Sequence, residues 1–198
     1  IDSIVGGSLG QPFRVIWANG NERGSWCNTA SGYATTAPPA CAKNHITVGA
    51  TNSNDDSITS FTSWGPADDG RIKPDISAPG CQSGDDNGVT STFPGGGYGS
   101  YCGTSMATPT VTGIAALIVQ DWRNQFPGEP DLPNAALKAL LANSGDDLGN
   151  PGPDCQYGFG TVRAQQAIDS LRDEGVLLSE VGDGGTGDGG SVTLKLAP

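Results

Sequence analysis

One histidine and only ten basic side chains stand in 198 residues, and both scarcities narrow what the chain can do. Twenty-one acidic residues outweigh the Lys and Arg to give a net charge of -11, so the surface repels phosphate backbones and nucleic acid is a poor partner. Long apolar runs are missing too. The longest, from Val111 to Val119, is interrupted by Thr112 and Gly113 and is far too short to cross a bilayer as a helix, which excludes a membrane span. The chain starts at Ile1 without a basic segment or a signal-like apolar stretch, and is therefore expected to be a mature product or part of something longer. An apolar fraction of 35% is low but enough for a core, and Gly 31 with Pro 14 marks a loop-rich domain.

The five cysteines match neither a CxxC redox site nor a zinc knuckle. Two pairs, Cys27 with Cys41 and Cys81 with Cys102, bracket Gly- or Ser-rich loops and are expected to form disulfides, as in a secreted protein. Cys155 is left over.

Phe13 to Ala18 and Ile46 to Ala50 read as buried strands, and Asp75 to Ala78 as a third, closed by Pro79-Gly80. From Ser105 to about Arg123, small and aliphatic residues on nearly every face predict a helix buried within the domain. Pro133 to Asn143 predicts an amphipathic helix stopped at Ser144-Gly145, and Ala164 to Glu174 another, stopped at Gly175. Short strands alternating with helices give an α/β fold with a parallel β-sheet flanked by helices. Residues 1–175 form this domain, and residues 176–198 read as a Gly/Asp-rich linker or the start of a further domain, with a strand beginning in Ser191 to Leu196.

The strongest chemical signal is Gly103-Thr104-Ser105-Met106-Ala107-Thr108-Pro109 at the entry to the long helix. In the first turn of a helix, backbone N–H groups lack intrahelical partners and the dipole favours developing negative charge. A serine hydroxyl there can attack a carbonyl and leave the resulting oxyanion facing backbone donors. An ordinary helix cap is the competing reading for Ser105.

The heptapeptide resembles the nucleophile motif of the subtilisin-like serine proteases, the subtilases. So does Ile46-Thr47-Val48-Gly49-Ala50-Thr51 followed by Phe61-Thr62-Ser63-Trp64-Gly65-Pro66 and by Ile72 to Gly80, and Tyr157-Gly158-Phe159-Gly160 is similar to the family's closing elements. Trp17-Ala18-Asn19-Gly20-Asn21 resembles the segment that carries the oxyanion asparagine. The resemblance covers roughly residues 13–170. It implies a serine endopeptidase acting through an acyl-enzyme on Ser105, with Asn21 as the oxyanion side chain and polypeptides as substrates. Trp17, Ala18, Gly20, Gly103 and Thr104 are implied to shape the substrate site, and Asn19 is the rival to Asn21 in the same turn.

The family order is Asp, His, Asn, Ser, and no His-Gly-Thr segment fits in the twenty residues before Asn21. Asp2-Ser3 lacks the glycine of the aspartate motif. His45 follows Asn21 and reads as a loop or strand-edge residue. The chain is thus expected to be an incomplete, C-terminal part of the catalytic domain, its triad Asp and His coming from an upstream segment or a companion chain. Alone it is expected to be inactive. The alternative is a degenerate module that binds peptides without cutting them. The chemistry requires no cofactor. Asp55-Asp56, Asp68-Asp69, Asp85-Asp86 and Asp146-Asp147 read as solvated loops, and structural calcium is not assignable to any of them. The loop from Cys81 to Cys102 is longer than in compact members and lies next to Ser105.

Overall fold

In the computed structural model, residues 1–24, 31–82, 88–173, 176–178 and 194–196 are described. Three strands, β1 (Ile16–Ala18), β2 (Ile46–Asn52) and β3 (Ile76–Cys81), form a parallel sheet in the order β1-β2-β3. Ile16 pairs with Ile46, and Val48 with both Ala18 and Ile76. β2 is buried along nearly its whole length, as a central parallel strand covered on both faces must be. β1 is shorter than the run Phe13 to Ala18 predicts. β3 continues through Pro79-Gly80, where the sequence suggests a stop, because Gly80 can pack where no side chain fits. A Cβ at Gly80 would lie 2.7 Å from the Gly103 carbonyl oxygen and 2.8 Å from Ala50 Cβ.

The helices are α1 (Asp2–Val5), α2 (Thr104–Gln125), α3 (Asn134–Asn143) and α4 (Ala164–Asp173). α2 packs across all three strands of the sheet. Its buried residues, Ala107, Val111, Ala115, Ile118 and Trp122, recur every three or four positions and meet Ile46, Val48, Ala50, Ile76 and Ala78. Leu137 and Leu141 of α3 and Ala167 and Leu171 of α4 complete this core. Each large aliphatic side chain taken from water here contributes about 1.5–3 kcal/mol.

The expectation of a helix buried on nearly every face needs correction. Thr112, Gly113, Ala116 and Leu117 are exposed, and Leu117 retains 51% of its surface. That face is open to solvent among the described residues, in which β1 pairs with β2 alone.

Two elements have no counterpart in the sequence reading beyond a long loop. β4 (Val89–Phe93) and β5 (Gly97–Tyr101) form an antiparallel hairpin between Cys81 and Cys102, which are disulfide-bonded with their Cα atoms 4.5 Å apart. β6 (Val176–Leu178) pairs antiparallel with β7 (Leu194–Leu196), so the strand expected after Ser191 forms within a small ribbon. The other expected bridge is not seen: Cys41 is a free thiol, its Sγ 3.3 Å from the Thr36 carbonyl, and Cys27 lies outside the described residues. Cys155 is also a free thiol.

Candidate active site

The carboxyl ends of β1 and β3 bring Asn21 and Ser105 to the same place. β1 ends at Ala18, and the chain turns through Gly20 with φ +107°, a conformation that favours glycine. That turn is fixed from two sides. Ser63 N–H donates to the Gly20 carbonyl at 2.8 Å, and Gly20 N–H donates to Thr104 Oγ1 at 3.3 Å. Glu22 N–H donates to Ser63 Oγ at 3.0 Å, and Arg23 lies 3.7 Å over the Trp64 ring, holding the segment beyond.

From the other side, Gly103 N–H donates to the Gly80 carbonyl at 2.9 Å and anchors the entry of α2 on β3. Thr104 and Ser105 then occupy the first helical turn, where an amide has no carbonyl four residues behind it. Thr104 uses its backbone N–H and its hydroxyl together, donating to Asn21 Oδ1 at 3.0 and 3.1 Å. With its oxygen held this way, the Asn21 amide turns its NH2 toward the Gly103 end of the helix, where a Cβ on Gly103 would stand 3.6 Å from Nδ2. Gly103 and Thr104 are buried, whereas Ser105 is exposed. Pro109 lies in the second turn, and its missing N–H leaves the Ser105 carbonyl without its i+4 donor.

Asn19 is fully occupied elsewhere. Its Nδ2 donates to the Ser63 carbonyl at 2.5 Å, its Oδ1 accepts from Thr36 Oγ1 at 2.9 Å, and the side chain is buried. The structure therefore places Asn21, not Asn19, beside Ser105. Trp17 and Ala18 line a cavity of about 530 Å³ together with Ser105, Thr108 and Pro109. Thr104 is a support for this site, with its side chain turned to Asn21 and Gly20. The motif placed it at the site but gave no sign of its two hydrogen bonds to Asn21.

His45 lies at the opposite, amino end of β2, about 20 Å along the strand at ~3.3 Å per residue. It is fully buried, with Nε2 3.0 Å from Thr47 Oγ1. Burial, reinforced by the Lys73 ammonium, pushes its pKa down to about 4, so the ring is neutral in ordinary conditions. Asp2 is at that end as well, accepting Lys43 N–H at 3.0 Å and Asn44 N–H at 2.7 Å. Neither reaches Ser105. Of the acidic pairs, Asp56 and Asp146 are bound to Arg163 and Asp69 to Arg71. Among the described residues no three His, Cys, Asp or Glu converge on a metal site, and Asp85 and Asp86 lie outside the described residues.

The family model described as "Subtilase family" matches residues 3–160, across the sheet, the Asn21 turn and the Ser105 helix. The chain belongs to the subtilase family. It is 37% identical to the serine protease AprX of Bacillus subtilis over 155 residues, which make up 71% of this chain and 33% of AprX. It is 34% identical to a subtilisin of Bacillus pumilus over 84% of this chain and 50% of that one. Among solved structures, the CspB protease of Clostridium perfringens superposes with a TM-score of 0.62 at 30% identity, covering 71% of this chain and 30% of CspB. A lanthipeptide protease gives the same TM-score at 26% identity, over 79% of this chain and 50% of its own. This subtilase chain thus spans a third to a half of the length of the relatives it matches, and its parallel sheet with flanking helices is the fold they share.

Proposed function

We propose that this chain carries the nucleophile and the oxyanion hole of a secreted, subtilisin-like serine endopeptidase that cuts polypeptides through an acyl-enzyme on Ser105. The observation that carries the reading is the double donation from Thr104 to Asn21 Oδ1, which holds the amide NH2 beside an exposed serine in the first turn of α2. Ser105 Oγ attacks the scissile carbonyl, and its proton passes to a histidine base. The carbonyl oxygen gains negative charge between the Ser105 N–H and Asn21 Nδ2. Collapse of this intermediate expels the amine, which takes the proton, and water then releases the acyl group.

The base comes from outside the described residues, because His45 is buried at the far end of the sheet. The triad Asp and His lie on an upstream segment or companion chain that covers the open face of α2 around Leu117 and the free edge of β1. That placement accounts for apolar surface on Trp17 and Leu117 that is otherwise wet. Residues 1–175 are then the carboxyl part of one catalytic domain, and 176–198 lie beyond it. The test is hydrolysis of a casein substrate by residues 1–198 alone and by the same residues with the upstream segment. Activity is expected only in the second case. Activity in residues 1–198 alone would show a base within them. No activity in either would favour a module that binds peptides without cutting them.

A further inference from the structure

Between β2 and β3, residues 59–63 are seated on the core of the sheet. Thr59 donates to the Ala50 carbonyl through both its N–H and its hydroxyl, at 3.2 and 3.0 Å, and Ala50 N–H donates to Thr62 Oγ1 at 3.1 Å. Ala50, Thr59, Thr62 and Ser63 are all buried. The central strand therefore sets the position of this segment.

The turn that carries Asn21 lies along it. Arg23 N–H donates to the Phe61 carbonyl at 3.3 Å, and Arg23 Nη1 to the Thr59 carbonyl at 3.1 Å. Three further bonds converge on Ser63. Its carbonyl accepts from Asn19 Nδ2, its N–H donates to the Gly20 carbonyl at 2.8 Å, and its hydroxyl accepts from Glu22 N–H at 3.0 Å. Asn21, which stands between these anchors, is exposed and its side chain is bonded to Thr104 instead.

The Gly20 carbonyl belongs to the peptide plane before Asn21, and Glu22 N–H to the plane after it. Each plane is rigid, so the freedom left between them is rotation about the two backbone bonds at the Asn21 Cα. Holding both planes from one buried residue fixes these rotations, and with them the direction of the Asn21 side chain. The hydroxyl sits close under the turn, where a Cβ added at Gly20 would stand 3.0 Å from Ser63 Oγ. Glu22 is exposed, so water can replace a lost acceptor there, and removal of the hydroxyl frees the turn more than it unfolds the protein.

We propose that Ser63 is a positioning residue for the oxyanion hole, pinning the two peptide planes that flank Asn21 so that Nδ2 stands where charge develops on the scissile carbonyl oxygen. The inference rests on the proposed peptidase reading and adds to it a residue 42 positions beyond Asn21 that touches no substrate.

The experiment uses the chain with its upstream segment and an internally quenched peptide, with kcat taken per folded molecule from near-UV circular dichroism. Ser63→Ala keeps the backbone bond to Gly20 and loses the bond from Glu22, so kcat is expected to fall by about tenfold or more while KM stays within about twofold. In an Asn21→Ala background the same substitution is expected to change kcat by less than about twofold, because no side chain is left to aim. Thr62→Val is the control, an equally buried neighbour whose hydroxyl serves β2 and not the turn, and it is expected to lower the urea midpoint with kcat kept. An unchanged kcat in Ser63→Ala, an equal fall with and without Asn21, or the same fall in Thr62→Val would overturn the inference. Fluorophosphonate labelling of Ser105 separates the two levels. Label and cleavage in the unmutated protein with a normal Ser63→Ala refute only the role of Ser63, while neither label nor cleavage refutes the peptidase reading and that role with it.

Discussion

The two ends of the parallel sheet are built on opposite principles. At the carboxyl end, Ser105 and Asn21 are exposed, and neutral hydrogen bonds through Thr104 hold the asparagine. At the amino end, charge is buried. Lys73, 1% exposed, donates to Asp75 Oδ2 and to Thr47 Oγ1, both at 2.8 Å, and Lys138 Nζ lies 2.8 Å from Asp75 Oδ1. Thr47 N–H donates to Asp75 Oδ2 at 2.8 Å, and the neutral His45 completes the cluster through Thr47. The difference separates positioning from holding together. Substitutions at the carboxyl end are expected to change the rate of the proposed reaction with little loss of stability, and substitutions at the amino end to do the reverse.

The sharpest break in that symmetry is Ser105→Ala in the chain with its upstream segment. We expect kcat to fall by about 10⁶-fold with an unchanged melting temperature, read by steady-state peptide hydrolysis and calorimetry. Asp75→Ala is the counterpart at the other end. It leaves Lys73 and Lys138 without their shared carboxylate, and a cost of about 3–5 kcal/mol is expected as a lower urea midpoint, with the kcat of the remaining folded enzyme kept.

The pH dependence extends the contrast. The folded pKa of His45, about 4, lies below its ordinary value of 6.5, so its neutral burial stabilises fully above pH 6.5 and is lost as pH falls toward 4. The groups facing it are Lys73, Asp75, Lys138 and Asp2. About 3 kcal/mol should disappear over that window, and His45→Gln should flatten this part of the stability curve measured by urea unfolding. Cys81→Ser with Cys102→Ser tests the hairpin tether between the two behaviours. Loss of about 3 kcal/mol is expected from the freed loop, read as a lower urea midpoint.

Much of this arrangement was legible in the sequence. β2, β3, α3 and α4 follow from apolar runs and periodicity, and the Ser105 helix starts at Thr104 where the glycine-rich loop predicted its entry. The hairpin was not legible as strands. Val89 to Phe93 and Gly97 to Tyr101 are rich in Ser, Thr and Gly and largely exposed, so no alternation of apolar and polar residues marks a buried face. The available signal was two β-prone runs around Pro94-Gly95-Gly96 between cysteines. Lys73 was hidden for another reason. A Lys-Pro pair reads as a turn, and nothing local shows that Asp75 and Thr47 will satisfy a buried ammonium. The two asparagines of one turn share a sequence context, and only the third dimension separates Asn19, bonded inside to Ser63 and Thr36, from Asn21 beside Ser105.

The most direct test of the central claim is the rate and position of fluorophosphonate labelling in the chain with its upstream segment, compared with Asn21→Ala. The account predicts a single adduct, located on Ser105 by peptide mass spectrometry, forming about 10²- to 10³-fold more slowly in the variant. An adduct on another residue, or an unchanged rate without Asn21, would contradict it.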